Sequence, residues 1–198
     1  VNFIAPALLA ISMMNAAFFE CTYSSYVRMY YQKTFDAMIA TPLSLDDVVT
    51  GELLWVATRS FIYSSVMLLV LAAFGVVDLP LSLLIIPFSF LAGLLFACIA
   101  MCFTAITPGI DALNYPSFLF ITPMFLFSGT FFPLSVLPPT VQVIAVVFLP
   151  RTQLVVITRS LTLSTISPLF LYSLAWIILV TSLCFILALR LMRRRLIV

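Results

Sequence analysis

Asp46 and Asp47 are the only adjacent carboxylates in this chain, and no histidine stands anywhere to work with them. General acid–base transfer of glycosyl or acyl groups calls for such clusters, held within reach of a second titrating group. Here the pair follows Ser44, and Ser44-Leu45-Asp46-Asp47 reads as a capping box, with Ser44 at the helix N-cap and Asp47 at the third helical position. Capping accounts for both carboxylates without catalysis. No GxxxxGK[ST] loop occurs, so the chain has no P-loop to hold a nucleotide. Cys21, Cys98, Cys102 and Cys184 lack CxxC spacing and lie in or beside apolar runs, as small buried hydrophobes do. The absence of histidine removes the commonest metal ligand too. The expectation is a chain that is not an enzyme, with no catalytic residue, no metal and no cofactor of its own.

What remains is the placement of charge. Eight of the sixteen charged residues fall between Glu20 and Arg59, and the rest of the chain is almost continuous hydrocarbon. Hydrophobic residues make up 64% and charged residues 8%, with a mean hydropathy of +1.27. Soluble domains run near a quarter charged, so this is an all-α integral membrane protein. A span needs roughly 20 apolar residues. Five runs qualify: Phe3 to about Phe19, with room for its helix to continue to Val27; Leu53 to Phe74; about Leu81 to Ile106; Leu113 to Phe132, containing Pro116 and Pro123; and Pro168 to Leu189. Thr107-Pro108-Gly109 breaks the chain between the third and fourth.

Five spans alternate sides. One side collects Arg28, Lys33, Arg59, Arg190, Arg193, Arg194 and Arg195, the other only Arg151 and Arg159. By the positive-inside rule the Glu20–Glu52 loop and the C-terminal tail are cytoplasmic. The chain opens Val1-Asn2-Phe3 inside an apolar run. It is read as a single domain over 1–198 that lacks one N-terminal span.

Positions 133–167 do not fit the alternation. Val141 to Leu149 is bracketed by Pro138-Pro139 and Pro150, and at about 1.5 Å per residue it cannot cross ~30 Å. A re-entrant pair of short helices on the outer side is expected. Arg151 and Arg159 follow it, either as solvated loop charges or as contacts for an anionic glycolipid.

In the polar island, Arg28 to Ala40 reads as one amphipathic helix. Tyr31, Phe35, Met38 and Ile39 keep the i, i+4, i+7, i+8 spacing, with Arg28, Gln32, Lys33 and Asp36 off that stripe. Thr41-Pro42 ends it, and the capped helix from Ser44 carries Glu52 toward the second span. The mixed signs of the polar face suit a protein partner better than anionic lipid. Glu20 and Arg59 either meet or reach water separately. Tyr23, Tyr26, Tyr30 and Tyr31 serve as interfacial anchors or as a platform for sugar rings. Arg193-Arg194-Arg195 reads as an anchor to anionic headgroups.

The run Arg28…Thr34-Phe35-Asp36-Ala37-Met38-Ile39-Ala40-Thr41-Pro42-Leu43-Ser44…Gly51-Glu52 resembles the cytoplasmic loop of ABC-2 type transporter permeases. Phe127-Ser128-Gly129-Thr130-Phe131-Phe132-Pro133-Leu134…Leu137-Pro138…Leu149-Pro150 resembles that family's signature before its last span. The nearest branch is that of nodulation-factor lipooligosaccharide export permeases, beside the polysaccharide and drug exporters. The resemblance implies six spans per subunit, a permease homodimer, and two separate ATPase subunits that hold ATP and Mg. It makes Arg28–Ala40 a coupling helix, with Asp46, Asp47 and Glu52 behind it. Gly129, Pro133, Pro138, Pro150, Arg151 and Arg159 fall in the outer re-entrant segment.

Independently of the resemblance, the spans have no acid near mid-membrane, where an ion-coupled transporter binds its ion. Power from a partner ATPase fits better. The expected function is export of a lipid-linked saccharide across the inner or plasma membrane, with no nucleic-acid partner. The alternatives are efflux of hydrophobic drugs and a non-transporting membrane scaffold.

Overall fold

The computed structural model describes residues 4–77, 79–130, 138–163 and 169–196, and every regular element among them is helical. Among the described residues, five helices are long and apolar enough to cross a membrane: α1 (Ala5–Tyr30), α3 (Leu45–Ala73), α5 (Ile85–Ile106), α6 (Ile110–Phe127) and α9 (Leu169–Leu196). Between them lie α2 (Thr34–Ile39) and α4 (Leu79–Ser82). The bent pair α7 (Pro139–Phe148) and α8 (Pro150–Thr162) precedes α9. The expected five spans are all present, with altered ends.

The ends moved for local reasons. α3 starts at Leu45 rather than Leu53 because Ser44 and Asp47 cap it reciprocally. The Asp47 N–H donates to Ser44 Oγ at 3.3 Å, and the Ser44 N–H donates to Asp47 Oδ2 at 3.1 Å. The third span starts at Ile85 rather than Leu81, because α4 and α5 are separated by a turn at Leu83–Leu84. In α6 the two prolines bracket a widened π-type turn at Ser117–Ile121. Each removes an N–H from the i→i−4 ladder, so the helix adjusts locally without ending. Phe131 and Phe132 lie outside the described residues, as does Pro133.

α5 sits at the centre, packed on α1, α3 and α9. Its span is 67% buried, against 17% for α6 and for α9. The last two therefore present most of their surface outward. α5 crosses α3 closely at Gly93, where a Cβ would stand 2.5 Å from Ser60 Cβ. Small residues at such crossings let helix backbones approach in lipid, where no hydrophobic force drives helices together.

α7 and α8 meet at 89° across Leu149, which is extended and so ends the first helix. Ten and thirteen residues are each too short to span alone. The expected pair of short helices is there, but its arginines are not loop charges. α8 packs against α1 and α9, which draws its first turn inside. Arg151 is fully buried beneath the ring of Phe125, with its guanidinium carbon 4.4 Å from the ring centre. Arg159 Nη2 donates to the carbonyl of Gly129 at 2.7 Å. Gly129 has a φ of 71°, a left-handed conformation that glycine takes without strain.

Candidate functional site: the charged end of the bundle

α1 does not run as a uniform helix. At Glu20–Ser24 it widens into a π-type turn, an insertion that rotates every later side chain and that recurs at functional sites. The wide turn is held from α5. Thr104 Oγ1 donates to the Cys21 carbonyl at 3.2 Å, and Cys21 Sγ donates to the Ala97 carbonyl at 3.2 Å. All four cysteines are free thiols, and the described residues hold no group of three or more metal-type ligands.

From this turn onward Glu20, Ser25 and Arg28 of α1 reach α3. Arg28 forms ion pairs with Glu52 and, at 3.4 Å, with Glu20, and Arg59 pairs with the other oxygen of Glu20. Ser25 Oγ donates to Glu52 Oε1 at 2.6 Å, and Ser24 Oγ donates to Glu20 Oε2 at 3.1 Å. The order Glu52–Arg28–Glu20–Arg59 is an alternating chain of two acids and two bases that joins α1 to α3. Glu20 and Glu52 are only 13% and 11% exposed, so each depends on its cation. Of the two readings open for Glu20 and Arg59, the structure has them paired. Arg28 corrects the sequence reading: it belongs to the end of α1 and not to the face of a coupling helix. Glu20, Ser24 and Arg28 at i, i+4 and i+8 were the signal for this row.

The expected single helix Arg28–Ala40 is broken at Tyr31–Lys33. The N–H groups of Tyr31 and Gln32 both donate to the Val27 carbonyl, and Lys33 turns the chain at a φ of 51°. The break lets α2 fold back on α3 and bury Phe35, which is 1% exposed. A straight helix would leave that ring in water. Phe35 is thus an anchor and not part of an outward stripe, while Tyr31, Met38, Ile39 and Leu43 stay exposed. Gln32, Lys33 and Asp36 are exposed around them. Between α2 and the first turns of α3 is a pocket of about 260 Å³, lined by Phe35, Met38, Leu43, Asp47, Val48 and Gly51 among others.

Beside the charged chain, α1 and α3 enclose an open groove of about 600 Å³. Glu20, Arg59 and Tyr63 make one part polar, and Phe19, Met67 and Val70 make another apolar. The tyrosines are mostly engaged. Tyr23 OH donates to Asn114 Oδ1 at 2.7 Å, Tyr26 OH donates to the Pro108 carbonyl at 3.2 Å, and Tyr30 stacks on Tyr26 at 4.6 Å.

A family model described as "ABC-2 type transporter" matches residues 1–151. The chain is 38% identical over 142 residues to Nodulation protein J of Sinorhizobium fredii (strain NBRC 101917 / NGR234), covering 72% of this chain and 54% of that one. It is 36% identical over 157 residues to Nodulation protein J of Rhizobium leguminosarum bv. viciae, covering 79% and 60%. Against that of Rhizobium leguminosarum bv. trifolii the values are 37% over 161 residues, covering 81% and 61%. The chain thus spans less than two thirds of the length of these curated relatives. No solved structure matches.

Proposed function

The chain belongs to the ABC-2 type transporter family, and from that membership we propose that it is the permease subunit of an ATP-driven exporter. In this reading a separate ABC ATPase binds ATP and Mg, and a second permease copy completes the pathway as a homodimer. The membrane is the inner or plasma membrane. The gathering of seven basic residues at the α2 end of the bundle supports a cytoplasmic side for α2 and for the end of α9.

One observation carries the proposal. α2 is fixed to α3 by a buried Phe35 and turns Met38, Ile39 and Leu43 outward, beside a pocket sized for a partner's side chain. Such a patch suits docking of another protein. The alternating charges lie directly behind it, so a push on α2 has a route into two spans. For ATP to shift the permease, this surface must make different contacts in the two nucleotide states of the ATPase. The proposed cargo is an amphipathic lipid-linked saccharide. The groove between α1 and α3 is mainly apolar with Glu20, Arg59 and Tyr63 at one part, a lining that supports an amphiphile with a polar head over the runner-up, a wholly apolar drug.

The test uses the full-length permease extracted gently from native membranes. A P-loop ATPase is expected to co-purify in stoichiometric amount. Met38→Asp puts a charge into the docking patch while leaving the Phe35 anchor in place, and is expected to lower recovery of the ATPase about tenfold or more. Phe35→Ala detaches α2 itself and lowers the thermal midpoint as well. Unchanged recovery with Met38→Asp argues against the docking role. Recovery of the permease alone, even after cross-linking in the membrane, favours a scaffold or an ion-coupled transporter.

A further inference from the structure

The arginines at the end of α9 divide into two kinds. Arg190 and Arg194 are exposed and have no hydrogen-bond or ion-pair partner among the described residues, as a lipid-facing anchor requires. Arg193 and Arg195 instead reach the ends of the segment that carries α2, and Arg195 also the end of α5. Arg193 Nε donates to Asp46 Oδ1 at 2.7 Å, and its Nη2 pairs with Asp46 Oδ2, a two-pronged contact. Arg195 Nη2 donates to Tyr30 OH at 2.7 Å and to the Thr107 carbonyl at 2.6 Å, while Nη1 donates to the Thr104 carbonyl. Its guanidinium carbon lies 4.9 Å from the centre of the Tyr30 ring and 5.8 Å from that of Tyr26.

Each contact has a physical reason. Thr104 and Thr107 mark the C-terminal end of α5, where carbonyls lack helical donors and the helix dipole favours a cation. A planar fork of five donors that also stacks on a ring can serve these acceptors together, which a lysine ammonium cannot. Arg193 and Asp46 are 58% and 32% exposed, and a pair that open adds little stability. Its value lies in position. Tyr30 is the last residue of α1 before the turn into α2, and Asp46 lies in the first turn of α3 just after it. The two arginines therefore grip both ends of the segment 31–44.

We propose that Arg193 and Arg195 form a strap that makes the last span follow the docking helix. They are positioning residues: force applied to α2 reaches α9 through them, in parallel with the route from Glu52 to Arg59. The inference rests on the docking role proposed for α2.

Hydrogen–deuterium exchange of the full-length permease assembled with its ATPase, with and without ATP and orthovanadate, tests it. In the unmodified complex, nucleotide trapping is expected to change protection in 31–44 and in 185–196 together. In Arg193→Ala/Arg195→Lys the response of 31–44 persists, while that of 185–196 falls about fivefold or more. Arg194→Ala behaves as the unmodified protein, and the exchanged pair Asp46→Arg/Arg193→Asp recovers part of the response lost in Arg193→Ala. A merely structural role would change protection equally in both nucleotide conditions. That result overturns the strap, as does a response of 185–196 that survives the double substitution. No response of 31–44 in the unmodified complex overturns the docking role and the strap with it.

Discussion

Arg28→Ala is expected to slow ATP turnover by the assembled, reconstituted transporter roughly 10- to 100-fold while the ATPase stays bound. Among the described residues, Arg28 is the one side chain that pairs with both Glu20 and Glu52. Without it, among the described residues, Glu52 keeps the Ser25 hydroxyl, and Glu20 keeps Arg59 and the Ser24 hydroxyl. Removing one partner of a buried ion pair costs about 3–5 kcal/mol, because a charge is left in a poor solvent. The Arg28 side chain is 26% exposed, so water recovers part of this and about 1–3 kcal/mol remains. That energy is lost where α1 and α3 are held together behind the docking surface. The docking surface itself, Met38, Ile39 and Leu43, is untouched, so binding of the ATPase persists. Arg28→Lys gives an intermediate loss, since one ammonium reaches one carboxylate better than it bridges two. Turnover measured with the purified complex checks the prediction, and full activity of Arg28→Ala would remove the charged chain from the proposed mechanism.

The sequence disclosed what is local and hid what depends on distant partners. The capping box was legible because Ser44 and Asp47 are three residues apart and satisfy each other. The spans were legible because length and hydropathy alone decide whether a helix crosses lipid. The end of α1 was not. Its stop after Tyr30 rests on the burial of Phe35 under α2 and on a left-handed Lys33, and an unbroken 3.6-residue period conceals both. The contacts of Arg193 and Arg195 were equally hidden. Asp46 lies 147 residues from Arg193, and Tyr30 lies 165 residues from Arg195. Three adjacent arginines after an apolar run look the same whether they meet headgroups or tyrosines. Arg151 shows the same limit from the other side. Its charge suggested water, while the bend at Leu149 carries it into the packed interior.

These contacts converge on α3. It receives α2 through Phe35, α1 through the charged chain, and α9 through Asp46. A helix with that many fixed relations moves as a rigid body or not at all, so its seating on the central helix α5 is the next quantity to perturb.

Gly93→Leu is expected to abolish recovery of folded permease. The crossing of α3 and α5 depends on the absence of a side chain at Gly93: a Cβ there would lie 2.5 Å from Ser60 Cβ, 2.9 Å from Ser60 Oγ and 3.2 Å from Ala57 Cα. Ser60 cannot simply move away, because its hydroxyl donates to the Met13 carbonyl of α1 at 3.2 Å. Overpacking by a few methylenes in a tight core costs about 1–3 kcal/mol. A whole isobutyl group between two backbones also breaks the Ser60 bond and separates Glu52 and Arg59 from their partners. Gly93→Ala is the graded version and is expected to cost about 1–3 kcal/mol, read as a lowered thermal midpoint in detergent. The interaction is testable as a pair. Ser60→Gly removes both the Cβ and the Oγ that an alanine at 93 would strike, so Ser60→Gly/Gly93→Ala should be more stable than the sum of the single changes implies. Gly51→Ala serves as the control for folding, since a Cβ at Gly51 meets nothing within 4 Å. Strict additivity of Ser60→Gly and Gly93→Ala would mean that this crossing does not set the spacing of α3 and α5, and the rigid seating of α3 would lose its basis.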